Sequence, residues 1–167
     1  MTPVLTTRRL TLRPHELADY PVFRTFWMSD RAGHIGGPLT QDHEVWRQFA
    51  AERGHWALRG FGLWTLVGAG DVVLGWVGLQ HPAHYESPEL AWHLTADAEG
   101  RGLAAEAARA ALAHGQKTLG MTRVISYVSL ANTRSLRLAE RLGAVAVEHG
   151  TVAAGDYAMF EHRWVAV

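Results

Sequence analysis

The sequence contains no cysteine among its 167 residues. Disulfides, thiolate catalysis and cysteine-ligated zinc or iron–sulfur sites are therefore excluded. An excess of either charge is missing too: Lys plus Arg and Asp plus Glu both number 16, so the formal net charge is zero. Because binding along a nucleic-acid backbone needs a clear excess of Lys and Arg, we expect no nucleic-acid partner.

Long hydrophobic runs are also absent. The longest apolar stretch, residues 72–79, is far too short to span a bilayer, and residues 1–9 have no apolar signal core. We therefore expect no membrane partner and a cytoplasmic location. Apolar residues still make up 48% of the chain and charged residues 19%, which predicts a packed core. The length predicts one domain over residues 1–167.

The hydrophobic periodicity changes several times along the chain and predicts alternating strands and helices. Helices are predicted over residues 17–29, from a cap at Thr40 to about residue 53 with Trp46 on the inner side, over 99–119 and over 132–142. Strands are predicted over residues 10–13, 61–67, 72–79, 89–94, 123–128, 145–148 and 158–164, with a hairpin turn at 68–71. Strands on both sides of two crossover helices predict an α/β domain with a mixed sheet.

The clearest local signal lies where the strand at 89–94 leads into the long helix through Gly100-Arg101-Gly102. Two glycines allow the backbone to approach a ligand closely, and a helix start offers unpaired N–H groups at a positive dipole end. The pattern indicates an anion site suited to a pyrophosphate, although a plain strand-to-helix turn explains the same residues.

Two other phosphate sites can be tested on the sequence. A nucleotide P-loop would need Gly-Lys-Ser/Thr, which is absent. Residues 100–105 fit the dinucleotide fingerprint Gly-x-Gly-x-x-Gly/Ala, but they follow a meander of strands, and the strand at 123–128 does not end in an acidic residue. We therefore discount a dinucleotide-binding module, which would bind NAD and not coenzyme A.

A second signal is Asn132-Thr133-Arg134-Ser135 at the start of a helix that Gly143 closes. Taken alone, these residues are ordinary helix caps. Together with residues 100–107, they resemble the GNAT N-acetyltransferase superfamily. The likeness is greatest to the branch that includes ribosomal-protein N-terminal acetyltransferases and many small-molecule acetyltransferases. It covers nearly the whole chain and includes segments 7–14, 61–64 and 74–79.

The resemblance implies a mostly antiparallel central sheet flanked by helices and acetyl-coenzyme A as the acyl donor. In that family the glycine-rich turn binds the pyrophosphate through backbone amides, the preceding strand pairs with the pantetheine arm, and the Asn and Ser of the second motif lie along the arm. Carried over to this chain, the cofactor-binding residues are Trp92, His93, Leu94, Gly100, Arg101, Gly102, Leu103, Ala104, Ala105, Asn132 and Ser135.

Two positions depart from the family pattern. Glu99 stands where relatives often have Gln or Arg, and a carboxylate beside a pyrophosphate is unfavourable unless it points away. The tyrosine with which many relatives protonate the leaving thiolate would fall at Ala139 and is absent. Another group, or water, must supply that proton.

Acyl transfer to an amine requires removal of the ammonium proton, a donor to the oxyanion and stabilisation of the departing thiolate. Glu89 and His93 are the candidate bases, since they are four residues apart and so share one face of a strand. Ser135 is the candidate donor to the thiolate, with helix capping as its other explanation. A solvated strand end and a half-buried ring remain the alternatives for the two bases.

These residues predict an acetyl-coenzyme A-dependent N-acetyltransferase that acts by direct attack of an amine-bearing acceptor. The main alternative is a non-catalytic acyl-coenzyme A-binding or sensor domain of the same fold. His81 and His84 could suggest a metal, but their loop offers no third ligand, so we expect no metal. The acceptor is not evident from the sequence, and either a monomer or a homodimer is compatible with it.

Overall fold

The computed structural model describes residues 3–152 and 155–164. Its eight strands form one sheet in the order β1-β2-β3-β4-β5-β6-β8-β7. The strands are β1 Leu5–Thr6, β2 Thr11–Arg13, β3 Leu63–Val67, β4 Val73–Gln80, β5 Glu89–Leu94, β6 Ile125–Ser129, β7 Val145–Val152 and β8 Gly155–Glu161. The helices are α1 Tyr20–Trp27, α2 Asp42–Arg59, α3 Leu103–Lys117 and α4 Thr133–Arg141.

Neighbouring strands are antiparallel everywhere except between β5 and β6, which are parallel. Because side chains alternate along a strand, β4 presents Trp76 to one side and Val77 to the other. Trp76 packs in a cluster with α1 and α2, whereas Val77 packs in a cluster with α3. The predicted α/β class, with a mixed, mostly antiparallel sheet flanked by helices, is confirmed.

The helix boundaries differ from the sequence prediction where local capping decides them. The segment predicted as one helix over 17–29 is a 3-10 turn over Leu17–Asp19 followed by α1. Helix α2 begins after Gln41 rather than Thr40, because Gln41 and Glu44 form a reciprocal capping box. It continues past residue 53 to Gly60, whose φ of 76° allows the left-handed turn that ends the helix.

Strand prediction erred mainly at the ends of the sheet. The two-residue strand β1 was not predicted, and β7 is longer than the predicted 145–148 because it pairs with β8 as far as Val152. Strand β8 begins three residues before the predicted 158 and ends at Glu161. Trp46 was expected on the inner side of α2 but is 48% exposed, with its ring edge-on to Tyr20 at 5.2 Å between centroids.

A buried polar group ties β2 to the start of α1. Arg13 donates two hydrogen bonds, of 2.8 and 2.7 Å, to the carboxylate of Asp19, which is only 1% exposed. Burial alone would raise the pKa of Asp19, but the hydrogen bonds from Arg13, the Glu16 amide and Thr65 outweigh it and hold the pKa below 3.8. The ion pair therefore stabilises the fold at neutral pH.

We expect Asp19→Asn to lower the free energy of unfolding by about 2 kcal/mol at pH 7, and the melting temperature by roughly 4–8 °C. A carboxyl whose folded pKa is depressed stabilises the fold above its unfolded pKa, and this stabilisation is lost as the pH falls through the folded value. The deficit of the variant should therefore shrink below about pH 4. Denaturant titrations across pH measure it.

Asp42→Asn is the matched control, because Asp42 pairs with Arg24 at 2.6 Å on the surface, with side chains 69% and 44% exposed. Solvent screens such a pair, so its loss should change stability little. Equal effects of the two substitutions would contradict the role given to the buried pair.

Candidate functional site

The sheet opens in its middle, between β5 and β6. Among the residues that the structure describes, Glu89–Ile125 is the single pair that joins the two strands. One residue further along each strand, Ser126 Oγ donates to the carbonyl of Leu90 at 2.6 Å, and the amide of the next residue, Tyr127, donates to the Glu89 carboxylate at 3.2 Å. Side chains thus replace backbone partners, and beyond Leu90 no strand of residues 3–152 or 155–164 lies beside the edge of β5 that faces β6.

A cavity of about 1220 Å³ occupies this opening. It is lined from one face of the sheet by residues such as Trp27, Glu52 and His93, and from the other by Ala104 and Ser135. One continuous space lined from both faces must pass between the parted strands. Its volume exceeds the usual range for small-molecule pockets, which suits an extended ligand.

The N-terminus of α3 opens into this cavity without a cap. Its N-cap residue is Gly102, with φ of 73°, and no side chain caps the helix. The next backbone hydrogen bond of the turn runs from the Glu106 amide to the Gly102 carbonyl, so the preceding amides have no partner within the helix. Leu103, Ala104 and Ala105 line the cavity at this point. Amides at the positive end of a 15-residue helix are suited to an anion.

The predicted cofactor residues occupy the cavity wall with one exception. Trp92 and Ser135 meet across it, with the indole Nε1 donating to Ser135 Oγ at 3.0 Å. Asn132 caps α4 by accepting from the Ser135 amide at 3.1 Å. Arg101 does not line this cavity but a smaller one beside β2. All the other predicted site residues line the main cavity: Glu89, Trp92, His93, Leu94, Gly100, Gly102, Leu103, Ala104, Ala105, Asn132 and Ser135.

Glu99 is held between two arginines. Its carboxylate accepts from Arg31, which comes from the turn after α1, and from Arg134 on α4. Arg31 also donates to the carbonyl of Leu94 at 3.3 Å. The carboxylate that the sequence placed unfavourably beside the anion site is therefore neutralised on both sides.

Glu89 is buried at the point where the strands part. It is 6% exposed, and Gln80 donates to its second oxygen at 2.7 Å. Burial raises the pKa of the Glu89 carboxyl, and the hydrogen bonds from Gln80 and the Tyr127 amide only partly offset this. A carboxylate with a raised pKa is a better proton acceptor at neutral pH than an exposed one.

His93 shares the face of β5 on which Glu89 lies, as the spacing predicts. Its ring stacks on Phe26 at 5.8 Å between centroids and meets Trp27 edge-on at 6.0 Å. Its Nδ1 is buried without a partner among the described residues. Burial lowers the pKa of His93, while the nearby charge of Glu52 acts in the opposite direction. The ring is therefore neutral at pH 7, and protonating it would bury an imidazolium.

Ala139 lies away from the cavity. It is fully buried and packs in a cluster with Val128 and Phe160. Ser135, one turn earlier on α4, lines the cavity wall. Its oxygen accepts from Trp92, which leaves its hydroxyl hydrogen free to donate.

Sequence reasoning missed two carboxylates in the cavity wall, Asp30 and Glu52. Glu52, on α2, is only 7% exposed. Together with Gln48 it lines the part of the cavity next to α1 and α2, which we call the acceptor side. Position alone could have indicated it, since Glu52 follows Val45 and Phe49 at helical spacing on the buried face of α2. A charged residue there calls for a partner or a function.

Within residues 3–152 and 155–164, no three His, Asp or Glu side chains are grouped so that they could hold a metal ion. The same residues include no helix long and apolar enough to cross a membrane.

A family model described as an acetyltransferase (GNAT) domain matches residues 9–145. The chain belongs to the GNAT acetyltransferase family. An acetyltransferase of Agrobacterium tumefaciens str. C58 is 34% identical in sequence, and the match covers 97% of this chain and 95% of that one with a TM-score of 0.88. The family resemblance and the acyl-coenzyme A N-acyltransferase fold expected from the sequence are confirmed.

More distant GNAT structures share the fold. A spermidine N-acetyltransferase of Vibrio cholerae, in complex with CoA and spermine, is 18% identical, with 93% of this chain and 95% of that one covered and a TM-score of 0.78. The ribosomal-protein-S5-alanine acetyltransferase of Vibrio fischeri is 14% identical, with 95% of each chain covered and a TM-score of 0.75.

We expect His93 to titrate below pH 6.5, because burial disfavours its charged form. Removing the negative charge of Glu52 should lower the pKa further, since that charge favours the imidazolium. Ring resonances assigned with a His93→Gln reference, and followed by NMR against pH in the parent and in Glu52→Gln, measure both effects. A His93 pKa above 6.5 in the parent would contradict the buried, neutral ring.

Proposed function

We propose that this GNAT protein is an N-acetyltransferase that moves an acetyl group from acetyl-coenzyme A to a primary amine. The observation that carries the proposal is the shared cavity: an uncapped helix N-terminus suited to a diphosphate and a buried carboxylate with a raised pKa open into one space between the parted strands. The distant relative in complex with CoA supports the class of cofactor.

The cofactor would lie along the open edge of β5. The free amides of the first turn of α3 would hold the diphosphate, with the glycines at 100 and 102 leaving space for its approach. The pantetheine arm would follow the wall formed by Trp92, Leu94 and Asn132. Its amides could pair with the edge of β5 that has no strand partner.

Direct attack needs no covalent enzyme intermediate. The amine nitrogen attacks the thioester carbonyl carbon, and an N–C bond forms as the oxygen gains negative charge, which a backbone N–H of β5 would stabilise. The C–S bond then breaks, and acetylated amine and thiolate separate. Glu89 accepts the proton that the amine loses, directly or through water. Ser135 donates a hydrogen bond to the departing thiolate, replacing the tyrosine that is absent at Ala139.

Glu89 is favoured over His93 as the base on structural grounds. A carboxylate becomes neutral on accepting a proton, which its buried site favours, whereas His93 becomes charged, which its buried site opposes. His93 is then a wall of the acceptor pocket rather than the proton acceptor.

The alternative is a non-catalytic acyl-coenzyme A sensor on the same fold, which would bind the cofactor and release no thiol with any amine. The two differ in what they require of Glu89: an enzyme uses the buried carboxyl, with its raised pKa, as a proton acceptor, whereas a sensor uses it only to hold the strands apart. A cytoplasmic location and a monomeric or homodimeric state belong to the same proposal. Following thiol release from acetyl-coenzyme A against small amines, peptides with free N-termini and aminoglycosides decides between enzyme and sensor.

We expect Ala104→Asp to weaken coenzyme A binding at least about tenfold, equivalent to about 1.4 kcal/mol, because a carboxylate in the first turn of α3 repels the diphosphate. Ala104→Asn is the matched control, since it has the same shape without the charge. Calorimetry with coenzyme A measures the difference. Equal affinities of the Asp and Asn variants would exclude the diphosphate from this helix end.

We expect Glu89→Gln to lower kcat by about a hundredfold and to remove the acidic limb of the pH–rate profile. The amide oxygen can still accept from the Tyr127 amide, and Gln80 can turn its own amide to accept from the new one, so the opening of the sheet is retained. Burial should place the limb of the parent above 4.5.

Glu86→Gln removes an exposed carboxylate three residues away and serves as the control. Its rate and pH profile should match those of the parent. A Glu89→Gln variant with parental kcat and an intact limb would exclude Glu89 as the base.

A further inference from the structure

A chain of buried polar groups runs behind the acceptor side of the cavity and ends at Glu52. Thr65 Oγ1 donates to Asp19 at 2.9 Å, and Nδ1 of His15 lies 2.9 Å from the same Thr65 oxygen. Nε2 of His15 lies 3.1 Å from the Glu52 carboxylate. Gln48 donates to the other Glu52 oxygen at 3.1 Å.

The directions of these hydrogen bonds determine that Nδ1 of His15 carries a hydrogen. Asp19 is ionised beside Arg13, so Thr65 donates to it and can only accept from His15. His15 therefore donates from Nδ1 to Thr65, which directs its Nε2 at the Glu52 carboxylate. Because this bond and the stacking on Phe49 fix the ring, and Gln48 donates to the other oxygen, the Glu52 carboxylate is held in one position.

Glu52, and not His15, lines the cavity. A charge in the cavity is therefore closer to the carboxylate than to the ring behind it, and attraction to the nearer group is stronger. The neighbouring His93 is neutral at pH 7, and its buried Nδ1 has no partner in the part of the chain that the structure describes. Arg31, the arginine on this side, is engaged by Glu99. The acceptor side of the cavity is thus suited to a cation.

Glu52 and Glu89 are anchored at different rows of the sheet. Glu52 is bonded through His15 to Thr65, which shares a row with Trp76 and His93, whereas Glu89 pairs with Gln80 four residues along β5. Four residues of strand extend about 13 Å, at about 3.3 Å per residue. With one carboxylate at each end, the acceptor side has a place for a second positive charge besides the reacting amine.

We propose that Glu52 binds a second cationic group of the acceptor, and that His15 is the residue that positions it. The preferred acceptors are then linear amines with two ammonium groups, one reacting near Glu89 and one held at Glu52. The inference rests on the proposed function for the identity of the reacting group, but the binding site can be tested without turnover.

The test uses calorimetry in the presence of coenzyme A. A series of α,ω-diamines of increasing chain length is titrated, each alongside the alkyl monoamine of equal carbon number. In the parent, the best diamine should bind at least about tenfold more tightly than its monoamine. Glu52→Gln should abolish this preference by weakening diamine binding roughly tenfold or more while leaving monoamine binding unchanged.

Glu140→Gln, an exposed carboxylate on α4 outside the cavity, should keep the parental preference. His15→Gln should reduce the preference without changing monoamine binding, which a purely structural role would not produce. Because each result is a ratio of two ligands on the same sample, a partly unfolded variant does not alter it.

Equal binding of diamines and monoamines by the parent, or an undiminished preference in Glu52→Gln, would overturn the role of Glu52. An undiminished preference in His15→Gln alone would overturn the positioning role. Thiol release from acetyl-coenzyme A with the same amines is recorded separately. Its absence with every amine would count against the enzyme, while the calorimetric ratios would still decide the second-cation site.

Discussion

The hydrogen bond from the Tyr127 amide to the Glu89 carboxylate is the contact on which the site depends. In a continuous sheet a backbone carbonyl of the neighbouring strand would accept from that amide. Here a side chain takes its place, the ladder ends after a single residue pair, and the two strands separate. The same carboxylate is thereby buried at the start of the opening, where its raised pKa suits it to accept a proton.

The helices differ in whether the protein itself caps their first amides. Helix α2 begins with a capping box and α4 with the Asn132 side chain, so their first amides are partly satisfied within the protein. Helix α3 begins at a glycine and has no cap. A missing cap costs about 1 kcal/mol, which the burial of Leu103, Ala107 and Ala111 against the sheet offsets.

The order of the main strands and helices and most of the cavity wall could be predicted from the sequence. Glycines at turns and the alternation of side chains along a strand are local signals. Glu89 and His93 could be placed on one face for that reason. Glu52 could not be placed in the site, since its distance from His93 depends on how α2 packs on the sheet. Nor could the two arginines that hold Glu99 be foreseen, because they come from separate parts of the chain. Arg101 matched the family motif in sequence, yet it lines the smaller cavity beside β2.

The single pair at Glu89–Ile125 also has a mechanical meaning. On one side of it lie β1 to β5 with α1 and α2, and on the other lie β6, β8 and β7. Within the described residues, no second backbone pair joins β5 to β6, so a change in the angle between the two halves would act on the bonds that Tyr127 and Ser126 make to β5 and not on a second backbone pair. The pair lies at the closed end of the opening. A ligand inserted between the strands would contact the two halves at the open end, where a given change in their angle moves the strands farthest.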